Sequence, residues 1–354
     1  MKFSNPKIIR GTYIMKIFFM GDFNSDTGPS IANRMLVKGL EDFDICYSKA
    51  RTKPMRIVEM IFKTLRSDCI CFSSYSKMNF LGIKIANILN KKTFYIMHGY
   101  RTYEYKINKE FYNENELARI NNDEKKLFGS VDKVFCVSKK FMNYMKKAEP
   151  EYKEKFDYNY NSIYFDEVVY SETDLMNGKK NNQIVSIGGG MKQKNVLKIC
   201  HAIEQLNNNE KMGLKLIVIG SPYTDKDKIC SYDFVTYHDK LPHKKVLEIL
   251  SESGLYIQNS TFETFGLAVI EALNSKCNLL LSNNIGIVDL MLTIKDSDII
   301  YDVYDENEIA RKIRYVLENN NVNDLKSGFS TDEILYKTSS KNLYDKIYTI
   351  TEER

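Results

Sequence analysis

The sequence predicts an α/β protein of two doubly wound domains in tandem, and three observations carry that expectation. Its 354 residues suffice for two domains that each bury a core. Short apolar runs alternate with amphipathic stretches of roughly 10 to 15 residues, the signature of a parallel sheet covered by helices. That rhythm stops at a polar stretch and then restarts, which divides the chain in two.

In the first half, strands are expected at 16–21, 43–47, 68–72, 92–98 and 133–137, with helical segments between them. From Phe165 to Gln183 the rhythm is lost and the chain turns polar, with Asn177-Gly-Lys-Lys-Asn-Asn182 at its end, so this stretch reads as the interdomain linker. A strand at 183–187 reopens the pattern, followed by a helix in which Val196, Cys200, Ile203 and Leu206 keep helical spacing. Further strands are expected at 214–220, 254–259, 278–282 and 298–303, most of them followed by helices. The expected domains are 1–168 and 169–330, with a C-terminal helix in 331–354 packing back on the first. In doubly wound sheets ligands bind beyond the carboxyl ends of the strands, so two facing domains are expected to hold one ligand in the cleft between them.

Composition narrows the function. The content is ordinary globular, 43% hydrophobic and 27% charged. A net charge of +5, with no dense basic stripe and no recognisable module, argues against nucleic-acid binding. Seven cysteines are scattered, with Cys69, Cys71 and Cys136 in strand-like runs; an odd, unpatterned set points to reduced, buried thiols in a cytoplasmic protein. Met1 to Ile14 lacks the apolar core of a secretory signal, and Met15, directly before the strand Lys16-Ile-Phe-Phe-Met20, is an alternative natural start. No apolar run approaches the roughly 20 residues of a transmembrane helix, so membrane contact is expected to be peripheral at most.

The most informative segment is Thr261-Phe-Glu-Thr-Phe-Gly-Leu-Ala-Val-Ile-Glu-Ala-Leu273, after the strand-like Gly254-Leu-Tyr-Ile-Gln-Asn259. Glu263 falls in the loop, whereas Glu271 lies two turns into a largely apolar helix, where a carboxylate almost never stands without a partner. Uncapped N–H groups where that helix starts, at Phe265-Gly266, favour a phosphate. Glu271 is placed to accept hydrogen bonds from neighbouring hydroxyls, and a nucleotide carrying a sugar offers both kinds of group. The structural alternatives are a Glu271 paired to a buried base and a Glu263 that is a solvated loop charge.

Glu263-x7-Glu271, with Phe265-Gly266 between, resembles the signature of family 4 retaining glycosyltransferases of the GT-B fold, and the resemblance covers most of the chain. Ser186-Ile-Gly-Gly-Gly-Met-Lys-Gln-Lys194 is similar to that family's first loop of the second domain, and Ser282 to Asp289 to the segment after its motif. In the first domain Thr27-Gly28-Pro-Ser30 sits where the family has a glycine-rich loop, His98-Gly99 matches a histidine ending a strand, Val137-Ser138 a Val-Ser turn, and Asn161 the asparagine before the linker.

The resemblance implies that Glu271 holds the ribose hydroxyls, that Glu263 and His98 serve the donor sugar, and that Lys194 neutralises the leaving diphosphate. It also implies that the backbone of Phe265, Gly266 and Leu267, beside Thr264 and the loop at Gly189, Gly190 and Lys192, faces the diphosphate and sugar. One departure stands out: the family has arginine where this chain has Gly189, while Lys194 matches the family lysine. A missing cation costs transition-state stabilisation, because charge builds on the leaving phosphate. Lys192 is a candidate substitute, with a helix-capping or solvated lysine as its alternative. Gly28 and Ser30 lie where a backbone approaches donor or acceptor, or simply in a strand-to-helix turn. For His98 the alternative is a histidine bonded to nearby backbone.

Other chemistries fit less well. Gly188-Gly189-Gly190 lacks the Gly-x-Gly-x-x-Gly spacing of a dinucleotide fingerprint, and Glu210 alone supports the acidic residue expected downstream. His201, His238 and His243 form no ligand spacing with the cysteines, so no metal is assigned. Asp225-Lys-Asp227 and Asp296-Ser-Asp298 imitate an Asp-x-Asp metal motif but lie in polar connectors, where exposed loop charge is the better account.

The expected function is retaining transfer of a sugar from a nucleoside diphosphate, UDP favoured, to a hydroxyl of a glycan or lipid-linked acceptor, with no cofactor beyond the co-substrate. The family context is bacterial surface polysaccharide synthesis. The rivals are a sugar-nucleotide-binding protein that has lost catalysis, and an epimerase or phosphorylase on the same plan. Arg51 to Arg66 mixes five basic residues with Met60, Ile61, Phe62 and Leu65, and reads either as a helix on the inner membrane surface or as a core helix with a solvated basic face.

Overall fold

The computed structural model describes residues 8–9, 12–13, 15–25, 27–163 and 179–353. Contacts divide the chain into two units, Met1–Asp166 with Thr331–Arg354, and Glu167–Ser330.

The first unit is built on six parallel strands: β1 (Ile17–Met20), β2 (Ile45–Tyr47), β3 (Cys69–Phe72), β4 (Lys92–Met97), β5 (Lys133–Cys136) and β6 (Phe156–Tyr158). Their order is β2-β1-β3-β4-β5-β6, so the winding reverses between β1 and β3. Every residue of β1 and β3 is buried, as central strands covered on both faces require, which is why they read as unbroken apolar runs. The helices between them are α1 (Gly28–Gly39), α2 (Lys53–Leu65), α3 (Met78–Ile88), α4 (Arg101–Ile107), α5 (Glu114–Ser130) and α6 (Lys139–Ala148).

Local chemistry fixes several of these helix starts. Thr27 caps α1, with Pro29 in its first turn, and Asn113 and Glu116 form a capping box on α5. Ser138, in the Val-Ser turn, caps α6 by accepting the N–H of Phe141 at 3.1 Å.

The second unit repeats the plan with β7 (Lys180–Ile187), β8 (Lys215–Ile219), β9 (Val235–His238), β10 (Ser253–Gln258), β11 (Asn278–Ser282) and β12 (Ile299–Ile300). The order β9-β8-β7-β10-β11-β12 is parallel throughout, and the winding reverses between β7 and β10. Its helices are α7 (Val196–Glu210), α8 (Lys226–Cys230), α9 (His243–Glu252), α10 (Leu267–Asn274), α11 (Glu306–Asn319) and α12 (Val322–Ser327). Val196, Cys200, Ile203 and Leu206 of α7 pack with Ile309 and Ile313 of α11 over Ile184, Leu216 and Leu255. Each such apolar side chain contributes about 1.5–3 kcal/mol on full burial.

The last helix, α13 (Tyr336–Glu352), belongs to the first unit and packs on α1. Gly39 allows the approach, since a Cβ there would meet the Tyr336 carbonyl at 2.3 Å. The Tyr344 hydroxyl ties α13 to the Met15 carbonyl at 2.9 Å.

Four local expectations need amendment. The linker expected at Phe165–Gln183 lies outside the described residues through 178, and its end is not linker, because β7 begins at Lys180. Within the two six-stranded sheets, two short strands, β6 and β9, are not foreshadowed in the sequence, because neither carries an apolar run: half-buried Asp157, Tyr158, Tyr237 and His238 supply much of them. Asp298 is not exposed loop charge but buried, accepting the Lys295 N–H at 3.1 Å and the Asn321 side-chain amide at 2.8 Å. Finally, α2 buries only Met60 and Thr64, so it is not a core helix with a purely polar outer face.

Candidate active site

The carboxyl ends of β7 and β10, neighbours at the reversal point of the second sheet, are where an open α/β sheet presents a ligand site. The loop after β7 runs Gly188–Asn195 and the loop after β10 runs Asn259–Gly266. They are tied together twice. The Thr261 N–H donates to the Gln193 carbonyl at 2.8 Å, and the Lys194 ammonium pairs with the Glu263 carboxylate. Both charged side chains are mostly covered, each 19% exposed, so the pair is no freely solvated surface bridge.

Glu263 is held from several sides. The Gln258 amide donates to the same carboxylate oxygen at 3.1 Å and accepts the hydroxyl of fully buried Tyr256 at 2.8 Å. Burial works against the Glu263 charge, yet the Lys194 charge and hydrogen bond, the Phe265 N–H and the Gln258 amide together hold its carboxyl below the usual range. It is therefore ionised at neutral pH. Its backbone pairs with the segment after β11, donating to the Asn284 carbonyl at 3.2 Å and accepting from Gly286 at 3.0 Å.

Three glycines are dictated by geometry. Gly189 has φ +60°, and a Cβ there would stand 2.2 Å from the Ser221 carbonyl oxygen, so an arginine at this position meets backbone on the facing loop. Gly190 is closer still, with the Pro222 carbonyl 1.9 Å from the position of a Cβ. At Gly266, φ is +112° and a Cβ would strike Ile285 at 2.8 Å; this glycine is the N-cap residue of α10. Phe265 is buried and anchors the loop through its side chain, and its carbonyl accepts the Ile287 N–H at 2.8 Å. Thr264 and Lys192 stand half-buried in the two loops, and Leu267 opens α10.

Glu271, on α10, is paired, though not to a buried base. Its Oε1 lies 2.9 Å from Nε2 of His243, the first residue of α9, whose side chain is 67% exposed. The hydrogen bond to Glu271 raises the His243 pKa, burial opposes that rise, and the carboxylate charge adds to it. Sequence spacing does not single out His243, which has no metal-ligand pattern; its partner is 28 residues away on the next helix.

The remaining candidates lie in the first unit. His98 directly follows β4 and meets Asn33 of α1, Nε2 to Oδ1, at 3.0 Å. Asn33 in turn donates to the carbonyls of Asp22 and Ser73, at 3.0 and 3.1 Å. This knot joins the ends of β1, β3 and β4, and Asn161 lines a small cavity beside it. Burial lowers the His98 pKa to about 4, so the ring is neutral at physiological pH. Gly28 begins α1 with open space around it, and Ser30 accepts from Arg34 Nη1 at 3.2 Å.

Two Rossmann-like units of this topology define the GT-B fold of the glycosyltransferases, and solved structures agree along nearly the whole chain. Anabaena Alr3699/HepE, solved with UDP-glucose, is similar at TM-score 0.68 and 13% identity, covering 95% of this chain and 100% of that one. Sucrose-phosphate synthase from Thermosynechococcus elongatus gives TM-score 0.67 and 15% identity over 95% and 100%. The catalytic domain of Arabidopsis thaliana starch synthase IV, bound to ADP and acarbose, gives 0.66 and 12% over 96% and 100%. More specifically, residues 173–327 match the model of the glycosyl transferases group 1, a stretch that contains Lys194, Glu263, Glu271 and both site loops. No curated protein sequence matches the chain.

Proposed function

We propose that the protein is a retaining glycosyltransferase that moves a sugar from a nucleoside diphosphate, most readily UDP, to a hydroxyl of a glycan or lipid-linked acceptor. It does so without a metal ion, on the cytoplasmic side of the cell membrane, in the synthesis of a bacterial surface polysaccharide. The observation that carries this reading is the Lys194–Glu263 pair at the reversal point of the second sheet, inside the stretch that matches the glycosyl transferases group 1. The UDP-glucose of one structural neighbour favours a UDP donor.

In this reading the acceptor oxygen attacks the anomeric carbon from the face the nucleotide leaves. The bond from that carbon to the diphosphate breaks, a bond to the acceptor forms, and the leaving phosphate oxygen takes the acceptor's proton. Lys194 and the N–H groups opening α10 stabilise the charge that develops on the diphosphate. Glu263 orients the Lys194 ammonium and accepts hydroxyls of the sugar. Glu271 receives the ribose hydroxyls, and His243 positions its carboxylate. His98, neutral at working pH and held by Asn33, is the candidate hydrogen-bonding group of the first unit.

A thermal-shift screen of UDP, GDP, CMP and dTDP sugars identifies the donor class, and variants then test the site. Glu271→Ala is expected to weaken donor binding about 10- to 100-fold, the equivalent of one charged hydrogen bond of about 1.5–3 kcal/mol. Glu263→Ala is expected to lower turnover with a smaller change in KM. Unchanged kinetics in both variants would sink the assignment. Gly189 motivates a second reading, a protein that binds a sugar nucleotide without transferring it, since no side chain fits where the related enzymes have a cation. Tight donor binding with neither hydrolysis nor transfer would favour that reading.

A further inference from the structure

Helix α2 carries apolar side chains on two opposite faces. Met60 and Thr64 turn toward the sheet and are buried. On the other side Met55, Val58, Phe62 and Leu65 recur every three or four residues and form one stripe, exposed by 62, 68, 50 and 53%. Ile61 borders the stripe. Next to α2, Leu81 and Ile88 share one face of α3 and are exposed as well, with exposed Lys84 between them at helical spacing. Large apolar side chains massed on one surface mark a contact with something else.

The charge around the stripe identifies what that is. Arg51, Lys53 and Arg66 are exposed at its ends, and the Arg66 guanidinium lies 3.8 Å over the Phe62 ring, which sets a cation beside the apolar stripe. The single acid of α2, Glu59, is used internally: it accepts the N–H groups of Lys49 and Ala50 at 2.9 and 3.0 Å and pairs with Lys63 at 2.5 Å. α3 carries no acid at all. An apolar stripe with a cationic rim is the pattern of a helix lying in the headgroup region of a bilayer with anionic lipids. A second copy of the chain would bring two like-charged rims together, and a polyanion would leave the stripe in water.

We propose that the outer face of α2, with the adjoining face of α3, docks on an anionic lipid bilayer. The proposal stands on that exposed face and not on the donor site, so its failure leaves the sugar-transfer reading intact. The full chain is sedimented with vesicles of phosphatidylcholine alone and of phosphatidylcholine with phosphatidylglycerol. Wild type is expected to pellet with the anionic vesicles at low salt and to be partly released as salt rises. Val58→Glu/Phe62→Glu is expected to lose roughly tenfold or more in vesicle affinity, and Arg51→Glu/Lys53→Glu to lose the preference for anionic lipid. Both variants change exposed residues only, and an unchanged Tm verifies that they fold. Wild type left in the supernatant, or pelleting of the Val58→Glu/Phe62→Glu variant equal to wild type, overturns the proposal. A concentration-dependent dimer that the same double variant dissociates, with no vesicle binding, overturns it in favour of a second copy.

Discussion

His243 and Glu271 make a prediction with a definite sign. The histidine pKa is raised in the folded protein, first by its hydrogen bond to Glu271. A group raised on folding contributes stability that is fully present below its unfolded pKa, about 6.5 for histidine, and is lost as pH rises through the folded value. His243→Gln is therefore expected to lower the Tm relative to wild type near pH 6 and to have little effect near pH 9; the same deficit at both would contradict the pairing. Glu271 was legible in the sequence because a lone carboxylate in an apolar run betrays itself. His243 and Gln258 were not, since a histidine after a proline and a glutamine at a strand end are ordinary until the fold brings a partner beside them. Gly189 shows the converse: the missing arginine was visible, but the facing backbone at Ser221 that leaves no room for it belongs to another loop.

Among the strands, those that carry an apolar run were readable, and β6 and β9, which carry none, were not. The central strands β1, β3 and β10 are buried throughout, and β7 is buried from Gln183 to Ser186, so they announce themselves, whereas the edge strands β6 and β9 are short and half polar. α7 was readable from helical spacing, and its buried stripe makes it the brace of the second sheet. Ile203→Ala, at a fully buried position in that stripe, is expected to cost about 2–5 kcal/mol, read from the urea midpoint of unfolding. A loss well below that range would mean that α7 does not hold the sheet as the packing implies. For α2 the apolar residues were plain in the sequence, but periodicity cannot say which face of a doubly apolar helix meets the core.

For the whole molecule, two sheets of six parallel strands, each reversing its winding once, place candidate residues at the carboxyl ends of strands in both units. The first gathers His98, Asn33 and the start of α1; the second gathers Lys194, Glu263 and the start of α10. The alternation of strand and helix made this plan legible from residue order alone, because each half must bury a sheet between layers of helices. Strand order is set by long-range pairing, which no local pattern records.

The central claim is transfer with retention from a sugar nucleotide. Its most direct test is proton NMR of the anomeric signal during reaction of the full chain with the donor that the thermal-shift screen selects. A product that first appears with the donor's anomeric configuration, at a rate that falls in Glu263→Ala and Lys194→Ala, is the result expected. A product of inverted configuration, or a donor that neither binds nor turns over, would contradict the account.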